Sequence, residues 1–297
     1  QFTLSTSANA SSTLQEGVKG IFGLGGSVGV TEKPTVTYSP LQGDQFIQRV
    51  LSPLPLETIT LLYHSGWSIE RIFRLCFQRM NNLKNAPGAS GPTPKKAPKF
   101  EEFIEATKYL RELQSLDVLN LYHTNENGIP KIILNIANEI KDPHVFPFAL
   151  NASQKFTKAL NLEPGQKKYV ITFSPKQNAP NQIRVVTRSL LGILFYLSQA
   201  VEVPEQDIRE GKVTNTLRTS GETFDWKEVT GELLRIRSDS SRPKDATQMD
   251  FYRNAWFYID DSDLKSKSTF ALLSQIFSLQ AGKIKDNSPV LTLGVGQ

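Results

Sequence analysis

Cysteine and histidine are scarce in this sequence. One cysteine, Cys76, and three histidines occur among 297 residues. A single thiol excludes a disulfide scaffold within the chain and also a cysteine-rich zinc site. His64, His123 and His144 form no His-x-x-x-His pair, which disfavours a dedicated transition-metal site.

Long apolar runs and the common nucleotide or acyl-transfer motifs are also missing. No apolar run reaches the roughly 20 residues that a transmembrane helix needs. The glycine-rich stretch 23–29 has no Gly-Lys-Ser/Thr after it and departs from the dinucleotide-binding spacing. Ser262 begins a Ser-x-x-Lys box, but the other boxes of penicillin-recognising enzymes do not follow it. We predict no cofactor for this chain.

Basic residues predominate toward the start of the chain, whose formal net charge is +5. Residues 1–100 contain ten Lys/Arg and five Asp/Glu, whereas residues 201–297 contain thirteen and fifteen. From Arg71 to Lys99 there are seven basic residues and no acid. This pattern is typical of a surface that attracts anions, and also of a solvated helix face followed by a linker. The candidate residues for an anionic surface or partner are Arg71, Arg74, Lys95, Lys96 and Lys99.

The opening residues are rich in Ser, Thr and Ala and follow Gln1 rather than Met. Such a start is typical of a mature chain whose leader has been removed, and equally of a simple truncation. The first interpretation predicts an exported protein.

Composition divides the chain into four segments. Residues 1–33 are rich in Ser and Gly and are predicted to form a flexible arm. Residues 34–84 are predicted to combine an edge strand with a helical subdomain, and residues 100–297 to form an α+β domain. Between them, residues 85–99 contain four prolines and two glycines, which predicts a linker or a long loop.

A long helix is predicted after Ser68, which can cap its start. Apolar residues recur at helical spacing from Ile69 through Cys76 to Leu83. Cys76 lies within this stripe and is predicted to be a buried, unreactive thiol. Together with the preceding helix and a turn at Gly66, this segment resembles a helix-turn-helix, although any αα-hairpin with a glycine turn shares that pattern.

Strands and helices alternate irregularly along the chain. Strands are predicted at 118–122, 129–136, 168–173, 182–187, 232–237 and 249–260, with a hairpin signal at Asn127-Gly128. Further helices are predicted at 44–51, 57–64, 100–116, 152–160, 189–200 and 266–280. The helix at 189–200 is apolar on nearly every side and is expected to be fully buried. We predict an α+β fold with a helical N-terminal segment and a mixed, largely antiparallel sheet packed with helices.

Two groups of residues near the end of the chain are candidates for a binding site. Asp260, Asp261 and Asp263 could hold Mg²⁺ or Ca²⁺ or serve a sugar-nucleotide enzyme, or they could cap the helix that follows. Trp256 and Tyr258 precede them on a predicted strand. Rings on its outer side could bind sugar or peptide, and rings on its inner side would pack in the core.

Three stretches carry a resemblance to a known family: residues 38–43, 188–204 and 256–282. They resemble a family of bacterial, proteobacterial hypothetical proteins and lipoproteins that has no known activity. The resemblance covers residues 34–297. It implies a location in the cell envelope, in the periplasm or associated with the outer membrane, and it transfers no catalytic residue.

These observations favour a non-enzymatic bacterial envelope protein that acts as a binding or scaffold module. Its partner would be a protein or an anionic envelope surface, including that of a membrane. The first alternative is an enzyme acting on cell-wall or sugar-nucleotide material through its aspartate cluster. The second is a DNA-binding protein that uses the hairpin at 57–84, although nucleic acid is the least favoured partner.

Overall fold

The computed structural model describes residues 43–137, 142–173 and 179–281. The helices in these ranges are α1 (Gly43–Leu51), α2 (Leu56–His64), α3 (Ile69–Cys76), α4 (Glu101–Ser115), α5 (Phe146–Ala159), α6 (Leu190–Ser198), α7 (Glu205–Arg209), α8 (Lys227–Thr230) and α9 (Leu264–Ala281). The strands are β1 (Phe77–Met80), β2 (Leu83–Lys84), β3 (Leu119–Glu126), β4 (Ile129–Ile136), β5 (Lys168–Thr172), β6 (Gln182–Thr187), β7 (Arg237–Asp239), β8 (Ala246–Tyr252) and β9 (Ala255–Asp260). The predicted arm at 1–33 and the predicted edge strand after it lie outside the described residues.

The strands form two sheets. The larger sheet has the order β2-β1-β6-β5-β4-β3, and its neighbours are antiparallel except for the parallel pair β5–β6. The smaller sheet has the order β7-β9-β8 and is antiparallel throughout. This confirms the predicted α+β fold with a mixed, largely antiparallel sheet. None of the helices in the described ranges is both long and apolar enough to cross a membrane.

The larger sheet buries one of its faces against helices. In β6, Ile183 and Val185 are buried, whereas the alternate residues Arg184 and Val186 are exposed. Helices α2 and α4 contact its strands, and α4 also packs against α3 and α5. The period of two along the strand thus separates core residues from surface residues.

The predicted continuous helix from Ile69 to Leu83 is wrong. Helix α3 ends at Cys76, and the chain continues directly into β1 and then β2. Met80 and Leu83 are buried in these strands, so their apolar character fits a strand as well as a helix. Cys76 is buried as predicted, and burial raises the pKa of its thiol to about 12, which keeps it protonated and unreactive.

The change from helix to strand occurs where the buried side chain of Arg188 meets the end of α3. Its Nη1 donates to the carbonyl oxygens of Arg74, Leu75 and Phe77 at 3.0, 3.1 and 2.7 Å. Asn85 Nδ2 also donates to the carbonyl oxygens of Arg74 and Phe77, at 2.8 and 2.7 Å. The last carbonyl groups of a helix lack partners within it, and a cation is favoured at that end. Arg188 and Asn85 therefore supply the termination signal for α3.

The other contacts of Arg188 complete its hydrogen bonding. Nε donates to Ser90 Oγ at 3.0 Å, and Nη2 donates to the carbonyl oxygen of Asn85. The Tyr196 ring centre lies 4.0 Å from the guanidinium carbon, as in a cation–π contact. Burial lowers the pKa of Arg188 to about 10, so the group remains charged at neutral pH. Among the described residues, no carboxylate forms an ion pair with Arg188. Instead, the dipoles of the carbonyl groups and the Tyr196 ring stabilise its charge.

Residues 85–99 form a packed loop that does not separate two domains. Ala86 and Ala89 are fully buried, and residues Pro87–Ser90 form a 3₁₀ helix. The amide of Ala86 donates to the carbonyl oxygen of Lys99 at 3.0 Å. The strands on either side of this loop in the sequence, β1 and β6, are neighbours in the same sheet. The described parts of 34–84 and 100–297 therefore contribute to one hydrophobic core.

Three other predicted elements differ in detail. Residues 232–237 were expected to form one strand, but β7 begins only at Arg237. The expected strand at 249–260 is a hairpin, because Arg253 and Asn254 adopt positive φ values of 48° and 64° between β8 and β9. Helix α6 is not fully buried, since Leu194 is 41% exposed.

We expect Arg188→Lys to destabilise the protein strongly. A lysine cannot reproduce the forked geometry of the guanidinium, so several buried hydrogen bonds would be lost, at a total cost on the order of 3 kcal/mol. Arg184→Lys, at an exposed position on β6 shortly before Arg188, is the matched control and should change stability by less than about 0.5 kcal/mol. Urea unfolding followed by circular dichroism measures both. Equal stability of the two variants would refute this account of α3.

Candidate functional site

The smaller sheet presents an aromatic surface. Its hairpin pairs Met249 with Tyr258 and Phe251 with Trp256, so these four side chains share one face of the sheet. We call these four residues the aromatic face. The type of turn explains the register, because two consecutive residues with positive φ favour a tight two-residue hairpin.

The aromatic face is largely open to solvent. Phe251 is 52% exposed and Met249 38% exposed, whereas Trp256 and Tyr258 are half-buried. The Phe251 and Trp256 ring centres lie 5.1 Å apart, within the range of favourable aromatic pairs. Trp256 and Tyr258 are candidates from the sequence, but their partners on β8 are identified only by the register of the hairpin.

Charged side chains border the aromatic face. The guanidinium carbon of Arg242 lies 5.4 Å from the Trp256 ring centre. Arg237 is paired with Tyr258 in the sheet register, and its Nη1 lies 3.2 Å from Asp260 Oδ2. On the opposite side of the same sheet, Ala255 and Ile259 are buried. Along β9 the opposite side is thus anchored in the protein, whereas Asp250 and Tyr252 on β8 are exposed there. The aromatic face carries apolar side chains with a polar rim.

The three aspartates of the predicted metal cluster hold the turn between β9 and α9. Asp260 Oδ1 accepts from the amide and the hydroxyl of Ser262, at 3.0 and 2.5 Å. Asp261 Oδ1 accepts from Thr247 Oγ1 at 2.7 Å and from Lys267 Nζ at 2.8 Å. These hydrogen bonds lower the pKa of both carboxyl groups. Each of the two carboxylates therefore has its own partners.

Asp263 caps α9. Its Oδ1 accepts from the amide of Ser266 at 3.0 Å and its Oδ2 from the Ser266 hydroxyl at 2.6 Å. Burial by itself would raise the pKa of Asp263, but the bonds from Ser266 outweigh it and lower that pKa. No group of three or more His, Cys, Asp or Glu is placed to hold a metal ion in the described part of the chain. The geometry matches the helix-capping interpretation of this cluster.

The predicted basic residues do not form one surface. Arg74 is buried, and its Nη1 and Nη2 donate to Glu70 Oε1 and to the carbonyl oxygen of Val229, both at 3.0 Å. Arg71 Nη1 donates to the carbonyl oxygen of Lys265 at 2.7 Å and to Thr269 Oγ1 at 2.5 Å. Both arginines thus connect α3 to other elements. The exposed members of the set are Lys95, Lys96 and Lys99, on the loop after β2.

Helices α2 and α3 flank a glycine turn, as the helix-turn-helix resemblance requires, but most of the second helix is buried. Gly66 has φ +87°, which suits the turn between α2 and α3. Ile69 and every residue from Ile72 to Cys76 are buried. A recognition helix must project several side chains into a DNA groove, and α3 has few left to project.

A groove of about 1130 Å³ lies beside the smaller sheet and was not foreseen from the sequence. Residues 199–209, 213–216, 223–227 and 253–255 line most of it. Glu202 in this groove lies 2.7 Å from Arg235 and 3.4 Å from Lys227. Burial alone would raise the pKa of Glu202, but these two cations lower it overall. The groove is assembled from segments far apart in the chain, so no local motif could indicate it.

Comparison with known protein families, with curated proteins and with solved structures finds no match for this chain. The resemblance to bacterial envelope proteins therefore stays a prediction.

We expect Asp263→Ala to destabilise the protein by about 1 kcal/mol, the usual cost of losing a helix cap. Asp245→Ala, at an exposed position in the same region, is the control and should change stability by less than about 0.5 kcal/mol. Since the pKa of folded Asp263 is lowered, its stabilisation is present at neutral pH and is lost as the pH falls through that pKa.

Thermal unfolding at neutral and acidic pH measures the effect of Asp263→Ala. The same assay tests the metal alternative, because a ligand that binds the folded state raises its melting temperature. A rise in the melting temperature with Mg²⁺ or Ca²⁺ that is abolished by Asp261→Ala would contradict the capping interpretation of the aspartate cluster.

Proposed function

We propose that this chain is a non-enzymatic binding module of the bacterial cell envelope, and that it binds a partner protein through the aromatic face. The observation that carries the proposal is the exposure of Met249 and Phe251 beside Trp256 and Tyr258 on one side of a small sheet. Exposed apolar patches with a polar rim mark interaction sites. Aromatic residues, Met and Arg are the residue types that protein interfaces favour.

The residues around this face favour a protein over a sugar. Arg242 lies over the Trp256 ring, on a ring surface that a sugar would need for stacking. The exposed Met249 and Phe251 add apolar area without hydrogen-bonding groups. A partner protein can bury that area and also receive hydrogen bonds from Arg242 at the rim.

The two alternative functions have less support in the geometry. The aspartates that an enzyme would use for a metal or sugar nucleotide are engaged by Ser262, Lys267 and Ser266. The second helix of the DNA-binding hairpin is mostly buried. The envelope location is supported by the resemblance.

Site-specific cross-linking tests the binding proposal. A photoreactive benzoylphenylalanine replaces Phe251 in cells that express the intact gene product. The matched control position is Phe148 on α5, which is 60% exposed and lies outside the aromatic face. We expect one discrete cross-linked product from position 251 and none from position 148.

Trp256→Ala should remove that product, because loss of a central interface tryptophan weakens binding by about 30-fold or more. Its folding is checked by circular dichroism. Equal cross-linking from positions 251 and 148, or a product that persists in folded Trp256→Ala, would refute the role of the aromatic face.

Fractionation of cells expressing the intact gene product tests the location separately. We expect recovery with the envelope and a lipid attached if the lipoprotein resemblance holds. Recovery in the cytosol would remove the envelope from the proposal and leave the binding surface to be judged by cross-linking alone.

A further inference from the structure

A second exposed surface lies on the outer face of the larger sheet. Arg79 on β1 is paired with Lys84 on β2 and with Val186 on β6, so the three side chains share this face. Arg184 lies two residues before Val186 and points to the same side. All four are exposed, Val186 by 46%. We call them the basic sheet face, which crosses three neighbouring strands and spans about 10 Å.

The charge of the basic sheet face is not neutralised within the described residues. Neither Arg79, Lys84 nor Arg184 forms an ion pair there. The single acid among the strand residues that point to this face is Glu126, which binds Lys131 at 2.6 Å at the far edge of the sheet. Lys168 on β5 is a further exposed cation on the same side. The face is therefore complementary to a negatively charged surface.

We propose that the basic sheet face docks on the anionic headgroups of a lipid bilayer. The surface is part of a sheet rather than a cleft, so it can meet a flat array of phosphates. Val186, at its centre, is a small apolar side chain that can lie among the headgroups. Each Lys or Arg held close to an anionic bilayer strengthens binding by about fivefold. This inference goes beyond the partner-protein proposal and shares no residue with it.

The side chains of this face disfavour single-stranded nucleic acid. Sheets that bind unpaired bases stack them on aromatic rings of their central strands. The residues of β1, β2 and β6 on the outer side are Arg79, Lys84, Gln182, Arg184 and Val186, and none is aromatic. A surface that attracts phosphates but offers no ring for base stacking suits a layer of lipid headgroups better than single-stranded nucleic acid.

Sedimentation of the full chain with vesicles tests the proposal. One set of vesicles contains equal parts of phosphatidylglycerol and phosphatidylcholine, and the other contains phosphatidylcholine alone. The patch variant combines Arg79→Gln, Lys84→Gln and Arg184→Gln. The control variant combines Lys108→Gln, Lys158→Gln and Lys244→Gln, which are exposed positions on other elements. Both variants lose three charges, and urea unfolding checks that both remain folded.

We expect the wild type to bind the anionic vesicles alone and to bind less as salt is added. The patch variant should bind about 100-fold more weakly, and the control variant should lose much less. Equal losses in both variants would show that only net charge matters and would overturn the proposal. So would absence of binding to anionic vesicles, or tighter binding to a single-stranded oligonucleotide than to the vesicles.

Discussion

The buried guanidinium of Arg188 is the constraint on which much of the larger sheet depends. A charged group without water needs a partner for every N–H, and here the carbonyl oxygens at the end of α3 and of Asn85 provide them. Main-chain bonds join the same residue to Cys76 and Leu54. Helix α3, the loop after β2 and the start of α6 are thus held at one point, and β1 is brought beside β6.

The same constraint decides which basic residues reach the surface. Because α3 ends at Cys76, the residues after it alternate between two faces. Arg79 points outward next to β6, and Lys84 points outward next to Arg79. Arg74, one turn earlier, points inward and binds Glu70 and Val229. The run of basic residues looks uniform along the sequence, but in the structure its members are divided. Some lie in the core, some contact another helix, and some lie on the exposed face of the larger sheet. The two proposed surfaces lie on different sheets and use different chemistry, apolar rings in one and unpaired cations in the other.

The elements of the fold that could be predicted are those for which the local residue pattern of the sequence is enough to specify the local structure. The β3–β4 hairpin follows from its Asn127-Gly128 turn, and α4 follows from its periodic apolar face. The β8–β9 hairpin could not be read in the same way, because Arg253 and Asn254 are a weaker turn signal than Asn-Gly. The termination of α3 at Cys76 was also missed, since Arg188, one of the two residues that end this helix, is more than a hundred residues away in the sequence.

The sequence by itself determined the composition of the core, the fold class and the buried position of Cys76, since these depend on hydrophobic periodicity and on nearby residues. It also identified Trp256 and Tyr258 as candidates and offered helix capping as one role for Asp260, Asp261 and Asp263. Tertiary structure alone decided that Met249 and Phe251 complete the aromatic face and that Arg79, Lys84 and Arg184 meet on one sheet. Strand register and the burial of a cation depend on contacts between segments that are distant in the sequence. The spacing of residues within one segment does not indicate such contacts.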